Sequence, residues 1–151
     1  MPPAQKAALL AAFVFLASFQ IASADVVRFP EAGGMQVEVE VADTPLLRQK
    51  GLMFRSNLKE DAGMWFVFPS EEAKRFWMKN VRFSIDIIFI GGDMRIKKIW
   101  KSVPPCFTEP CPTFPSGVPV RYALEVVSGF SEKYGINVNQ KVEYGKDGAS
   151  N

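Results

Sequence analysis

Histidine is absent from all 151 residues of the chain, and its absence excludes several kinds of site. Without an imidazole, the chain cannot build a Ser-His-Asp or Cys-His nucleophile, and it lacks the ligand that most zinc sites use. Any chemistry must use carboxylates, lysine, tyrosine, cysteine or the backbone. Met53, Met64 and Met78 could offer thioethers to Cu(I), but methionine is far more often a flexible core residue. The sequence predicts no metal and no other cofactor.

Clustered charge of one sign is also scarce. The chain has 18 lysines and arginines against 16 acids, a formal net charge of +2. The densest basic group is Arg95, Lys97, Lys98 and Lys101, which would lie along the outer rim of a strand. Nucleic-acid binding requires several phosphates to be neutralised on one face. We therefore expect no nucleic-acid partner.

The N-terminal segment has the features of a secretory signal. Lys6 supplies a positive charge, residues 7–19 are apolar, and Ala22-Ser23-Ala24 offers small residues for cleavage. The alternative is an uncleaved membrane anchor, but the apolar run is shorter than the roughly 20 residues that span a bilayer. We expect a signal peptide over residues 1–24, one β-rich domain over 25–144 and a flexible tail over 145–151. The protein is then expected to be periplasmic or secreted, with membrane contact only through the signal segment before cleavage.

The chain has two cysteines, Cys106 and Cys111, in the segment PPCFTEPCP. A close, even-numbered set of cysteines in an exported protein is typical of a disulfide, whereas a redox pair more often has the C-x-x-C spacing. Six prolines surround them between residues 103 and 119. We expect a long ordered loop over 103–119, closed by a structural disulfide, with a role that the sequence leaves open.

Hydrophobic periodicity predicts several short strands. Residues 35–41 alternate between apolar and polar side chains, while GMWFVFP, ending at Pro69, and residues 85–90 are continuous apolar runs. The Gly91-Gly92-Asp93 turn then predicts a hairpin. A further strand is predicted over residues 121–127.

Only two short helices are predicted. Thr44 as N-cap, Pro45 at the first position and Gly51 at the end define a helix over residues 45–50. Ser131 is the expected cap of the second helix, which ends at Gly135. The pattern favours an all-β fold with one or two short helices, built as a compact antiparallel barrel or sandwich.

Three blocks of the sequence resemble a known family. They are VEVADTPLLRQKGLMFRSNLKEDAGMWFVF, FWMKNVRFSIDIIFI and YALEVVSGFSEKYGI. These blocks are similar to those of the domain of unknown function 192 (DUF192) family, small bacterial and archaeal domains that are often exported. The resemblance covers about residues 37–144 and implies a compact, mostly β domain without implying an activity. The loop between the cysteines lies outside the shared pattern.

The segment WMKN supplies the first candidate site residues. If its apolar neighbours face inward, Trp77 and Lys79 share the other face of a strand and Asn80 begins a turn. An aromatic wall with a few polar donors is typical of small-ligand sites, here for an anionic or polyhydroxyl ligand. The alternative is structural, with Trp77 packed over an edge, Lys79 extended to solvent and Asn80 capping a loop.

Two carboxylates that interrupt apolar strands are the second candidates. Asp86 lies within SIDIIFI and Glu125 lies within YALEVV. Burying an unpaired carboxylate is costly, so each could pair with Lys79, Arg48 or Arg55. Alternatively, both could share one site, where proximity would raise one of their pKa values for acid–base work.

Three functions remain open. The first is an exported domain that binds a small polar ligand or a cell-envelope partner at a cleft lined by Trp77, Lys79, Asn80, Asp86 and Glu125, with Arg55 nearby. The second is a hydrolase or lyase that uses Asp86 and Glu125, with Lys79 as an electrostatic stabiliser. The third is a structural envelope protein without a site.

Overall fold

The computed structural model describes residues 23–147. The expected signal segment lies almost entirely outside the described residues and stays a prediction, as does the end of the expected tail. In the described part of the chain, no helix has the length and apolar character needed to cross a membrane.

Within residues 23–147, seven strands and two short helices follow one another. In chain order they are β1 (Asp25–Phe29), β2 (Met35–Ala42), α1 (Pro45–Lys50), β3 (Ala62–Trp77), β4 (Ile85–Ile90), β5 (Ile96–Val103), β6 (Thr113–Val127), α2 (Phe130–Lys133) and β7 (Glu143–Lys146). The seven strands form one sheet in the order β5-β4-β6-β3-β2-β1-β7. The predicted all-β class with two short helices is confirmed.

The sheet is mixed rather than purely antiparallel. β2 and β3 run parallel, because α1 and the loop after it return the chain to the starting end of β2. The other neighbouring strands are antiparallel. The edge strands β5 and β7 do not pair in a ladder, so the sheet is not closed into a barrel and a sandwich-like fold fits.

Apolar side chains cover both faces of the central strands. One core cluster contains Trp65, Ile88 and Leu124, and the other contains Phe66 and Ile87. Neighbouring residues of a strand fall in different clusters because side chains alternate between the two faces. All six residues of β4 are buried, so a polar residue there must find its partners inside the protein.

The first helix follows the predicted caps. The Thr44 side chain accepts a hydrogen bond from the Leu47 N–H at 3.2 Å, and Pro45 occupies the first turn. Gly51 ends the helix at a φ of 46°, in the left-handed region that favours glycine. The predicted second helix exists as α2, but Ser131 is not its cap, because the helix follows Gly129 and has no side-chain cap.

The predicted end of β3 is wrong. β3 does not end at Pro69 but continues to Trp77, because pairing with β6 resumes after an irregular stretch between Val67 and Glu72. Proline is tolerated within that stretch, where the hydrogen-bond ladder is interrupted. At the sheet's edge, β7 pairs with β1 as far as Lys146.

The proline-rich loop is shorter than predicted. β6 begins at Thr113 and pairs with the far end of β3, so only residues 104–112 separate β5 from β6. Cys106 and Cys111 form the expected disulfide within this loop. The disulfide loop, residues 106–111, therefore lies at the end of the sheet where β3 finishes.

Candidate functional site

Asp86 and Glu125 do not share a site. In the pairing of β4 with β6, Asp86 lies opposite Val126, while Glu125 lies opposite Ile87. Directly opposed residues of paired strands point to the same face, and Val126 and Ile87 belong to different core clusters. The two carboxylates therefore point to opposite faces of the sheet. This arrangement does not support the paired-carboxylate hypothesis.

Asp86 is a fully buried carboxylate whose oxygens are occupied by the backbone. Its Oδ1 accepts hydrogen bonds from the N–H groups of Ser102 at 2.8 Å and Gly129 at 3.2 Å. Its Oδ2 accepts one from the Ser131 N–H at 2.8 Å, at the start of α2. Three backbone donors satisfy the buried charge and tie β4 to β5 and to α2. Asp86 therefore has a structural role.

Glu125 is the opposite case, a buried carboxyl with an unused oxygen. Its side chain lies on the second face, and the residue is only 4% exposed. Its Oε2 atom has no hydrogen-bond partner among the described residues. Burial raises the pKa of Glu125 to about 8, although the Arg55 charge acts in the opposite direction. Glu125 therefore carries a proton near neutral pH.

Arg55 does not neutralise Glu125, because it is bound elsewhere. It donates two hydrogen bonds to Glu40, at 2.5 Å and 2.7 Å, in a bidentate ion pair. Hydrogen bonds from Arg55 lower the pKa of Glu40, and hydrogen bonds to Glu40 raise the pKa of Arg55. Glu40 and Glu125 both lie opposite Met64, so the ion pair lies on the Glu125 face of the sheet.

Arg48, the other expected arginine partner, binds the backbone. Its Nη1 atom donates to the carbonyl oxygen of Asp43 at 2.6 Å and to that of Val67 at 2.8 Å. These bonds join the end of β2, α1 and β3. They fix α1 beside β3.

Glu125 opens on a pocket between α1 and the far half of β3. The pocket has about 260 Å³ of empty space, which includes open solvent at its mouth. Its inner cavity has a volume of about 30 Å³. Its lining residues are Arg48, Gln49, Lys50, Gly51, Leu52, Met53, Phe66, Phe76, Trp77, Val81 and Glu125. We call this cavity the Glu125 pocket. It has apolar and aromatic walls, a carboxyl group in its lining and basic residues at α1.

Gly51 brings the backbone close to the carboxyl group. A Cβ atom at this position would lie 3.4 Å from the Phe66 ring and 3.7 Å from Glu125 Oε2. The left-handed backbone favours glycine at the turn after α1, whereas both distances are ordinary van der Waals contacts. Gly51 therefore lets the loop after α1 form one wall of the Glu125 pocket.

Of the WMKN residues, Trp77 lines the pocket, whereas Lys79 and Asn80 do not. Trp77 is 44% exposed, and the Lys79 Nζ atom lies 5.4 Å from the centre of its ring. Lys79 pairs with Glu109 of the disulfide loop at 2.9 Å. Asn80 has a φ of 58°, and its carbonyl oxygen accepts a hydrogen bond from the Phe54 N–H at 2.9 Å. Lys79 and Asn80 therefore connect the disulfide loop and Phe54 to the end of β3 beside Trp77, without lining the pocket.

Of the residues predicted to share a cleft, the structure thus places Trp77 and Glu125 in one pocket, with Arg55 nearby. The sequence reasoning missed the apolar walls Phe66 and Phe76 and the turn at Gly51. Glycine directly after a capped helix is a signal for a left-handed turn, but it does not show which side chain that turn will face.

Comparisons with known proteins agree with this fold. The family model for DUF192, described as uncharacterized ACR, matches residues 28–144. A solved structure of a proposed transcription regulator from Sinorhizobium meliloti 1021 is 31% identical, with a TM-score of 0.73, over 83% of this chain and 97% of that one. A protein of unknown function from Novosphingobium aromaticivorans DSM 12444 is 32% identical, with a TM-score of 0.73, over 79% of this chain and 83% of that one. No curated protein matches the chain. From its sequence and its fold, the chain belongs to the DUF192 family.

Proposed function

We propose that the Glu125 pocket binds a small ligand. One uncharged polar group of the ligand, a hydroxyl or an amide, enters the pocket. The observation that carries the proposal is the buried carboxyl of Glu125, whose Oε2 atom has no hydrogen-bond partner within residues 23–147. A buried polar atom without a hydrogen bond costs roughly 1–3 kcal/mol. Such atoms are rare in native proteins, and a ligand that supplies the missing partner offsets the cost.

The protonation state of Glu125 selects the kind of ligand group. A protonated carboxyl offers one donor and an acceptor, which matches hydroxyl and carboxamide groups. A cationic group would meet Lys50 and Arg48 in the pocket lining and the charge of Arg55 nearby. The surroundings therefore favour an uncharged tip over an ammonium group.

The size of the cavity limits how much of a ligand can enter. The inner cavity measures about 30 Å³, and in the same measure one water molecule needs about 10–15 Å³. Only a few non-hydrogen atoms fit beside Glu125, so the rest of the ligand must lie against the mouth. Trp77 is exposed there and can stack on a sugar ring or a planar group.

The lining of the Glu125 pocket favours binding over the hydrolase or lyase alternative. Glu125 is its only carboxyl among the described residues, and Asp86 points away from it. Acid–base mechanisms of that kind use two titratable groups of different pKa on one substrate. A site with one protonated carboxyl and aromatic walls is built to hold a ligand.

A direct test is a ligand-observed NMR screen against uncharged polyols, sugars and primary amides. We expect at least one class to bind the wild-type protein at pH 7 and to lose affinity above pH 8, where Glu125 ionises. Glu125→Ala should abolish binding, while Glu38→Gln, a change at an exposed carboxylate of β2, should not. Equal binding by wild type and Glu125→Ala would contradict the proposal.

We also propose that the protein acts outside the cytoplasm, as a periplasmic or secreted protein. The expected signal segment and the Cys106–Cys111 disulfide support this location. The densest basic group does not favour nucleic-acid binding. Lys97 pairs with Asp93, Lys98 lies 4.4 Å from the centre of the Trp100 ring, and Arg95 donates a hydrogen bond to the carbonyl oxygen of Asn139, so three of its four cations are already engaged.

A further inference from the structure

The end of the molecule that surrounds the Glu125 pocket exposes large apolar side chains. These are Leu46 (73% exposed), Leu47 (42%), Phe54 (60%), Trp77 (44%) and Phe107 (89%). We call these five residues the apolar rim. Helix α1 has no buried residue, so its two leucines do not serve the core. Side chains of this kind that gather on one surface commonly mark an interaction site.

Contacts in the structure bring the rim residues to one end of the sheet. Trp77 and the segment 48–53 after the two leucines line the same pocket. The Phe54 N–H binds the carbonyl oxygen of Asn80, three residues after Trp77. The ion pair of Lys79 with Glu109 ties the disulfide loop, which carries Phe107, to the same place. These contacts bring the segments that carry the apolar rim together at one end of the sheet.

Three exposed cations that form no ion pair within residues 23–147 lie on the segments that carry the rim or next to them. Lys50, Arg75 and Arg82 are exposed, and within residues 23–147 none of them has a carboxylate within ion-pair distance. Lys50 ends α1, Arg75 lies two residues before Trp77 on the same face of β3, and Arg82 follows the Asn80 turn.

We infer that the apolar rim docks on an anionic lipid surface, with the aromatic and leucine side chains at the headgroup level and the three cations against phosphate groups. The side chains of the apolar rim are separate from one another, with cations among them. Lipid headgroups are fluid and can surround each side chain individually. Basic residues near an anionic leaflet add attraction, and tryptophan is enriched at the membrane–water boundary. A protein partner would need a matching apolar surface that also carries acids.

This docking involves the folded domain, whereas the sequence suggested membrane contact through the signal segment alone. It depends on the apolar rim and the three cations rather than on Glu125. It would place the mouth of the Glu125 pocket at the membrane surface. Failure of one proposal does not imply failure of the other, because Glu125→Ala should leave vesicle binding unchanged.

The test is flotation of the full described domain, residues 23–147, with two kinds of vesicle. One kind is pure phosphatidylcholine, and the other also contains phosphatidylglycerol. We expect binding to the anionic vesicles only, weakened by salt, with a blue shift of tryptophan emission that Trp77→Phe removes. Changing Lys50 and Arg82 to glutamate should reduce binding by at least fivefold per cation, on the scale of about 1 kcal/mol per basic residue at such a surface.

The apolar contribution needs its own variants. Phe54→Ser with Phe107→Ser should abolish vesicle binding without lowering the thermal midpoint, because both side chains are largely exposed. Val138→Ser is the matched control, since Val138 is 56% exposed outside the rim and should behave as wild type. The inference is overturned if anionic vesicles do not bind, or if the double serine variant binds them as wild type does. It is also overturned if the rim variants instead abolish self-association in solution, because the rim would then be a protein interface.

Discussion

Asp86 and Glu125 lie on adjacent strands, one register position apart, yet they face opposite sides of the sheet. Asp86 accepts three backbone hydrogen bonds, whereas Glu125 Oε2 accepts none from the described residues. Two carboxyls that look alike in sequence therefore have different roles. Asp86 stabilises the fold, whereas Glu125 keeps one buried oxygen without a hydrogen bond from the described residues.

Replacing Asp86 by asparagine should destabilise the protein. An amide N–H₂ would face a backbone N–H that now binds a carboxylate oxygen, and the negative charge would be lost. Hydrogen bonds to a charged group contribute roughly 1.5–3 kcal/mol each, so we expect the free energy of unfolding to fall by about 2–4 kcal/mol. Urea denaturation measures the loss. Glu132→Gln, at an exposed position of α2, is the control and should leave the midpoint unchanged. A stable Asp86→Asn protein would show that Asp86 is not structural.

Replacing Glu125 by glutamine should stabilise the protein at alkaline pH. The carboxyl titrates near 4.5 when unfolded and at about 8 when folded, so between these values the folded chain binds the extra proton. The contribution of Glu125 to the free energy of unfolding is fully present below pH 4.5. It is lost as the pH rises through 8. Glutamine cannot ionise, so its advantage over wild type should grow from pH 5 to pH 9, to the order of 4 kcal/mol.

Denaturation of wild type and Glu125→Gln at both pH values measures this difference. Glu38→Gln, which alters an exposed side chain of β2, should follow the wild-type pH dependence. Parallel curves for wild type and Glu125→Gln would mean that the carboxyl ionises as readily in the folded protein as in the unfolded chain.

Local features could be predicted from the sequence because their causes are local. Thr44, Pro45 and Gly51 define α1 through hydrogen bonds and backbone angles within a few residues. The apolar run at β4 could only be a buried strand. The end of β3 was predicted wrongly at Pro69, because pairing with a strand some fifty residues later carries β3 onward.

Which residues come together in the site could not be predicted from any single strand. Alternation shows which neighbours share a face with Asp86 or Glu125, but only the register between β4 and β6 shows that the two faces differ. The contact of Lys79 with Glu109 likewise depends on how the disulfide loop folds back. Those arrangements are set by tertiary pairing.

Trp77→Ala should remove ligand binding with little loss of stability. The indole is 44% exposed, in contrast to the buried indole of Trp65, so we expect a change in unfolding free energy of about 1 kcal/mol or less. Ligand-observed NMR with a ligand from the polyol and amide screen measures the binding. Trp100→Phe, outside the pocket lining, should bind as wild type. Undiminished binding by Trp77→Ala would exclude the indole as a wall of the site.

Removing the disulfide should loosen the region around Trp77. Closing so short a loop stabilises a protein by roughly 2 kcal/mol in the chain-entropy model, so the variant with Cys106→Ser and Cys111→Ser should lose about that much. It should also release Glu109 from Lys79 and increase quenching of Trp77 by acrylamide. Lys79→Met removes the ion pair but keeps the disulfide, and it should increase the quenching with only a small change in stability. Unchanged quenching in both variants would show that the loop does not hold Trp77.

The protonated carboxyl of Glu125 is the feature on which the proposed ligand site depends. Its most direct test is a ¹³C NMR titration of the Glu125 side-chain carboxyl in the folded protein, with Glu125→Gln used to assign the signal. We expect a titration midpoint near pH 8. A midpoint near pH 4.5, the ordinary value for a glutamate, would contradict the account.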